Sequence, residues 1–153
     1  SGFAILIEEE WLSFGHRFAE RYGQADGNYA NDQRAPIFHQ FVDCVYQILR
    51  QFPQHFEFTE EYLLEMVDAV HSCQFGTFLF NSESERHENN VSMKSISLWT
   101  YLCHEVLWYP GLSFCQNYAH MFSNPCFRTK RKYLFPDTSP KKVVVWDRLY
   151  LRY

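Results

Sequence analysis

Residues 36–53, Pro36-Ile37-Phe38-His39-Gln40-Phe41-Val42-Asp43-Cys44-Val45-Tyr46-Gln47-Ile48-Leu49-Arg50-Gln51-Phe52-Pro53, carry the plainest structural signal in the chain. Phe38, Phe41, Val42, Val45, Ile48, Leu49 and Phe52 recur at the spacing of one helical face. Pro36 suits the first turn, where its missing N–H would have no partner, and Pro53 stops the helix. A second helix follows. Thr59 is placed to cap it, Glu60 and Glu61 oppose its dipole favourably, and Leu63, Met66, Val67 and Val70 form its buried stripe. Further on, Gly76 punctuates the chain. Ser82 with Glu85 spells a capping box whose helix fails at Asn89-Asn90, and Ser97 to Leu102 reads as another short helix.

On the N-terminal side, residues 23–35 are polar and rich in turn formers, a loop. Before it, a short helix from His16 to Tyr22 ends at Gly23. Gly2 to Phe14 places Phe3, Ile7, Trp11 and Phe14 on one stripe, with Glu8, Glu9 and Glu10 clustered, until Gly15 interrupts. Cys103 to Met121 shows no clear period. Pro136 and Pro140 bracket a turn. Val143 to Tyr153 has a start that suits a strand and a Trp146, Leu149, Tyr150 spacing that favours a helix. The pattern predicts a mainly α-helical fold, without internal repeats.

A chain of 153 residues makes one domain. An apolar fraction of 46% and an aromatic fraction of 19% exclude a disordered or low-complexity class, because so much bulky surface must be buried. The aromatic load also suggests part of a larger core. The net charge of −4 is unevenly spread. Residues 127–153 hold eight basic residues against two acidic ones, a net +6, which leaves −10 on residues 1–126. Such a basic tail would meet phosphate, an acidic neighbour or solvent. The five-residue run Phe3–Ile7 is far short of the roughly 20 residues of a membrane span and has no basic leader before it. Ser1-Gly2-Phe3 runs at once into a helical stripe, so the chain reads as a fragment. Cys44, Cys73, Cys103, Cys115 and Cys126, odd in number and without framework spacing, favour a reduced, intracellular protein.

Three patterns could carry chemistry. Cys44 and Arg50 match the Cys-x5-Arg spacing of cysteine phosphatases, but Val45, Tyr46, Ile48 and Leu49 between them cannot form a phosphate-cradling loop. Cys44 is therefore expected to be a buried core thiol. Cys103, His104, Cys115, His120 and Cys126 offer metal-ligand atoms without the tight Cys pair that anchors zinc, so no metal is assigned. Arg17 and Arg21 stand four residues apart, so on a helix their guanidinium groups leave one face. Two such forks make a phosphate clamp, unless Glu8, Glu9, Glu10 or Glu20 pairs with them. Lys130-Arg131-Lys132 is too short to argue for nucleic acid.

The string Trp11-Leu12-Ser13-Phe14-Gly15-His16-Arg17-Phe18 closely resembles a segment of the myotubularin family. So do Phe41-Val42-Asp43-Cys44-Val45, Gln51-Phe52-Pro53, Phe56-Glu57-Phe58, Ser72-Cys73-Gln74-Phe75-Gly76-Thr77-Phe78-Leu79, Asn81-Ser82-Glu83 and Ser97-Leu98-Trp99, in the same order. The likeness is dense over 2–102, departs over 103–123, and thins over 124–153 to Asn124-Pro125 and Leu134-Phe135-Pro136 with Trp146.

The resemblance implies that residues 1–153 form the helical C-terminal portion of an α/β cysteine-phosphatase-like domain, with the catalytic loop upstream and absent. The parent would be a phosphatidylinositol 3-phosphate and 3,5-bisphosphate 3-phosphatase that works through a phosphocysteine and needs no cofactor. This portion alone would lack the nucleophile. Arg17 and Arg21 match positions that contact substrate phosphates in the family, which makes the clamp the leading reading. The implied partners are a phosphoinositide headgroup, a peripheral membrane contact and a dimer with itself or a relative, in the cytoplasm on endosomal-type membranes. The alternatives are a pseudophosphatase that regulates an active relative, or a remnant without function.

Overall fold

The computed structural model describes residues 2–24, 33–103, 119–128 and 133–152. The helices are α1 (Gly2–Ile7), α2 (Phe18–Tyr22), α3 (Ile37–Gln51), α4 (Glu60–Ser72), α5 (Glu83–Glu88), α6 (Val91–Lys94), α7 (Leu98–Cys103), α8 (Ala119–Phe122) and α9 (Asp147–Tyr150). Among the described residues there is no strand, only an isolated antiparallel bridge between Phe58 and Ser123. The mainly helical expectation holds.

Helices α3 and α4 form the centre. From α3 come Phe38, Val42 and Val45, and from α4 Tyr62, Leu63, Met66, Val67 and Val70, all buried. Burial of these side chains is the main stabilising term, about 1.5–3 kcal/mol each. Pro53 ends α3 and begins a 3-10 turn, Pro53–His55, as its missing N–H requires. Thr59 precedes α4 in an extended conformation, but no side-chain bond caps the helix. Its hydroxyl donates to the carbonyl of Met121, tying α4 to α8. Ser82 does cap α5, accepting the N–H of Glu85 at 3.2 Å.

Two elements differ from the sequence reading. Glu8–Ser13 continues α1 as a π-helix. Ile7 is fully buried and Trp11 packs on the core, but the wider turn breaks the three- and four-residue periodicity and Phe14 leaves the stripe, 84% exposed. The C-terminal segment is helical only over Asp147–Tyr150, and residues 143–146 have no regular structure. Two glutamines of α3, one turn apart, decide this. Gln47 donates to the Val144 carbonyl at 2.9 Å and accepts its N–H at 3.3 Å. Gln51 does the same for Asp137, at 3.0 and 2.8 Å. Each side-chain amide stands in for a neighbouring strand, giving the backbone partners that a helix would otherwise have supplied.

The segment then docks through Trp146. Its ring is fully buried and stacks on Tyr46 at 4.2 Å and 8°, and its N–H donates to Glu60 at 2.8 Å. Beyond it, Arg148 pairs with Glu61 at 2.7 Å and Glu60 at 3.3 Å. Arg152 reaches both oxygens of Asp68, at 2.6 and 2.7 Å. The acidic neighbour for this part of the basic tail is the chain's own α4. Lys130, Arg131 and Lys132 lie outside the described residues, as do Ser1, His104 and Cys115.

Cys44 is exposed, not buried, which corrects the expectation. It lies on α3 between the buried Val42 and Val45 but on the opposite side of the helix. The four described cysteines, Cys44, Cys73, Cys103 and Cys126, are free thiols.

Replacing Trp146 with alanine removes the stacked ring and the hydrogen bond to Glu60 together. The expected cost is about 3–5 kcal/mol locally. In the full-length protein, hydrogen exchange of α3 and α4 amides should quicken on the order of 100-fold or more. Unchanged protection would show that the strap adds nothing to the core.

Candidate functional site

Phe18 and Tyr22 lie four residues apart on α2 and face the core. Phe18 is fully buried against Phe38 at 5.2 Å and Phe78 at 4.9 Å. Arg17 and Arg21 each precede one of these anchors, so both turn to the adjoining side of the helix. Together with Glu10, Trp11, Phe14, Gly15 and His16 they line a shallow depression of about 450 Å³. A second depression, about 680 Å³, shares Gly15 and Arg17 and adds Glu20, Gln24, Asn81, Ser82 and Glu85. Arg17 is thus a wall common to both.

The two arginines are held differently. Arg17, 65% exposed, pairs with Glu20 at 2.9 Å. That is one of the acidic partners the sequence left open. Arg21 donates to the backbone carbonyl of Gln33 at 2.8 Å, and among the described residues no carboxylate lies within ion-pair distance of it. Glu8 is engaged elsewhere, accepting the indole N–H of Trp99.

The bend between the π-helix and α2 is what presents Arg17. Gly15 takes φ +93° and Gly23, at the far end of α2, φ +64°. Side chains disfavour that left-handed region, so glycine brackets the arginine helix on both sides. His16 wedges edge-on between Trp11 at 4.9 Å and Phe18 at 4.7 Å. Burial, and then the nearby Arg21 charge, lower its pKa below the usual histidine value, so it is neutral at pH 7. Its buried Nε2 has no hydrogen-bond partner among the described residues.

A loop far away in sequence braces the bend. The Phe80 carbonyl accepts the N–H of Ala19 at 3.3 Å, and Asn81 Oδ1 accepts the N–H of Glu20 at 2.9 Å. The N–H of Asn81 is in turn donated to Glu85 at 3.0 Å. Arg86 donates to the carbonyls of Leu79 at 3.2 Å and Leu12 at 3.4 Å, joining the loop to the end of the π-helix. Phe80 sits at φ +64°, a strained backbone for a bulky residue, costing about 1–2 kcal/mol. Sequence reasoning missed Phe80, Asn81 and Arg86 as supports of this site. The Ser82–Glu85 cap beside them was the available signal, but it says nothing of a partner some 60 residues away.

The far side of α2 carries a proton-linked cluster. Tyr22 Oη accepts the backbone N–H of His39 at 3.2 Å and shares a hydrogen bond with His39 Nδ1 at 2.8 Å. His39 Nε2 lies 3.0 Å from His71 Nε2, within hydrogen-bond distance. Burial first, and the nearby His71 and Arg152 charges, push the His39 pKa down to about 4, against some help from Asp68.

A family model, the myotubularin-like phosphatase domain, matches residues 1–87. The chain belongs to the myotubularin family. It is 41% identical over 153 residues to phosphatidylinositol-3,5-bisphosphate 3-phosphatase MTMR2 of Mus musculus, covering 99% of this chain and 22% of that protein. MTMR2 of Gallus gallus matches at 40%, over 99% of this chain and 24% of its own length. Myotubularin of Xenopus laevis matches at 40% over 154 residues, 99% of this chain and 23% of its own. The chain thus spans under a quarter of the length of these relatives. The depression with Arg17 and Arg21, and the Phe80–Arg86 brace, all fall within the part that the family model matches. No helix among the described residues is long and apolar enough to cross a membrane.

Two outcomes are expected of this myotubularin-family site. Asn81→Ala leaves the Glu20 N–H without its acceptor and should cost about 1–2 kcal/mol of local stability, seen as faster amide exchange in α2 of the full-length protein. Equal exchange in both proteins would show that Asn81 is not a support. The His39 cluster gives a pH dependence. Above about pH 6.5, the ordinary histidine value, folded and unfolded chains both hold His39 neutral, and its contribution is fully present. As pH falls toward about 4, the unfolded chain takes a proton that the folded one refuses, so stability drops. Melting of the full-length protein across this range should fall less steeply for His39→Gln than for the wild type.

Proposed function

We propose that this chain forms the C-terminal portion of the phosphatase domain of a phosphatidylinositol 3-phosphate and 3,5-bisphosphate 3-phosphatase, with Arg17 and Arg21 contacting headgroup phosphates. The observation that carries the reading is the convergence of these two guanidinium groups on one depression, in a segment matched by the family model. Two fixed positive charges beside a neutral imidazole and the edges of Trp11 and Phe14 suit a phosphorylated polyol better than a neutral ligand. The MTMR2 relatives are named as phosphatases of phosphatidylinositol 3,5-bisphosphate.

On this reading the nucleophilic cysteine and its arginine come from a loop upstream of Ser1, and the whole domain has the α/β cysteine-phosphatase-like fold. The part played by this chain is electrostatic. Arg17 and Arg21 hold and orient the headgroup so that its 3-phosphate meets that loop. Peripheral membrane contact, dimerisation with itself or a relative, and residence on endosomal-type membranes in the cytoplasm belong to the same proposal.

The test uses the full-length protein with phosphatidylinositol 3-phosphate and 3,5-bisphosphate in vesicles. Arg17→Ala or Arg21→Ala should each lower kcat/KM about 10- to 100-fold, the size of one or two charge-assisted hydrogen bonds, with melting unchanged. Wild-type kinetics on both lipids in both variants would refute the assignment. Headgroup binding without any phosphate release would make the parent a pseudophosphatase and leave the arginines as a docking site.

A further inference from the structure

We propose that Glu20 is a specificity-determining residue of this site, whose carboxylate biases it against the more highly phosphorylated headgroup. The inference rests on the reading that Arg17 and Arg21 hold headgroup phosphates. It begins from the ion pair between Arg17 Nη1 and Glu20 Oε2 at 2.9 Å. A guanidinium meant for a phosphate is already shared with an anion of the chain itself.

The geometry makes this carboxylate a fixed feature. Glu20 lies in the first turn of α2, where a negative charge is favoured by the helix dipole. Its own backbone N–H is taken by Asn81, which holds the residue in place while its side chain turns to Arg17. Glu20 is the better shielded partner, 26% exposed against 65% for Arg17. Across the 680 Å³ depression stands a second carboxylate, Glu85, and on the other side of Arg17 the smaller depression carries Glu10. Arg17 is therefore matched by a carboxylate of the chain itself, and with Glu10 and Glu85 lining the two depressions the site is less positive than the arginines alone imply.

A pair between exposed side chains three residues apart is weak. One phosphate, with two charges and several acceptors, can displace Glu20 from the guanidinium. The displaced carboxylate stays beside the site. Each further phosphate on the ring then adds repulsion within a screening length, so the penalty grows with ligand charge. A site built this way favours an inositol ring with a single ring phosphate over one with two, whether the ring is free or is a lipid headgroup.

The experiment measures binding to the full-length protein of two soluble, non-hydrolysable phosphonate analogues of the headgroup, one with the 3-position anion and one with the 3- and 5-position anions. Vesicles containing the corresponding lipids form a second arm. Glu20→Gln, which keeps the shape and the Asn81 bond, should tighten the singly substituted ligand about threefold and the doubly substituted one roughly tenfold. Glu20→Asp, which keeps the charge, should stay near the wild-type ratio. An unchanged ratio in Glu20→Gln, or an equal gain in Glu20→Asp, would overturn the proposal. So would a gain on vesicles with none on the soluble pair, since that places the charge effect in general membrane attraction. Arg17→Ala separates the two levels. If it leaves binding intact, the phosphate-site reading itself fails; if it weakens binding while Glu20→Gln does nothing, only the role of Glu20 is lost.

Discussion

Burial of Phe18 between Phe38 and Phe78 is the contact on which the arrangement of the site depends. Helix α2 has only five residues, too few to be stable by its own hydrogen bonds. It exists because Phe18 and Tyr22 are anchored in a core built by α3 and α4. Once those rings are fixed, Arg17 at the N-cap and Arg21 within the helix line the same depression. The Phe80–Asn81 loop then holds the first N–H groups of α2, and Arg86 ties that loop to the Leu12 carbonyl before the bend. The arginines thus stand on a scaffold supported from three parts of the chain.

The same core explains the uneven charge. The acidic residues of α4 are Glu60, Glu61, Glu65 and Asp68, and three of them receive the tail. Trp146 supplies the apolar anchor by stacking on Tyr46, and Arg148 and Arg152 add ion pairs along the rim. Those exposed pairs are each worth little, about 0–1 kcal/mol. Most of the holding force lies in the buried indole and in the two glutamine clips. Charge complementarity sets where the strap lies rather than how tightly it is bound. The surface that carries the Arg17 and Arg21 depression and the surface that takes the tail are accordingly different. Arg148 and Arg152 are matched by carboxylates of α4, whereas Arg17 and Arg21 line one depression on α2.

Much of this was legible beforehand. The periodicity of residues 36–52 and 59–70 announced α3 and α4, because a face that must be buried repeats with the helix whatever it packs against. Gly15 and Gly23 marked the ends of the arginine helix, since only glycine adopts those backbone angles without strain. The spacing of Arg17 and Arg21 put both on one side. Phe14, Cys44 and the 143–146 segment were not readable in the same way. A π-helical turn shifted Phe14 out of a stripe drawn with the ordinary period. Cys44 has apolar neighbours in sequence, but the helical turn directs Val42 and Val45 to the core and Cys44 to the surface. Residues 143–146 follow partners, Gln47 among them, that lie nearly a hundred positions away.

What the sequence determined by itself, then, was local: helix periods, stops, caps and the family likeness carried by short strings such as Trp11 to Phe18. These depend on backbone sterics and on neighbours within a turn or two. Only the tertiary structure decided which acidic group meets which arginine. Glu20 takes Arg17, Glu60 and Glu61 take Arg148, and Asp68 takes Arg152. Ion pairing is long-ranged and almost indifferent to sequence order, so charge counts alone leave many pairings equally good. Packing of a few buried rings breaks that tie, by fixing the distance and direction from which each charge is offered.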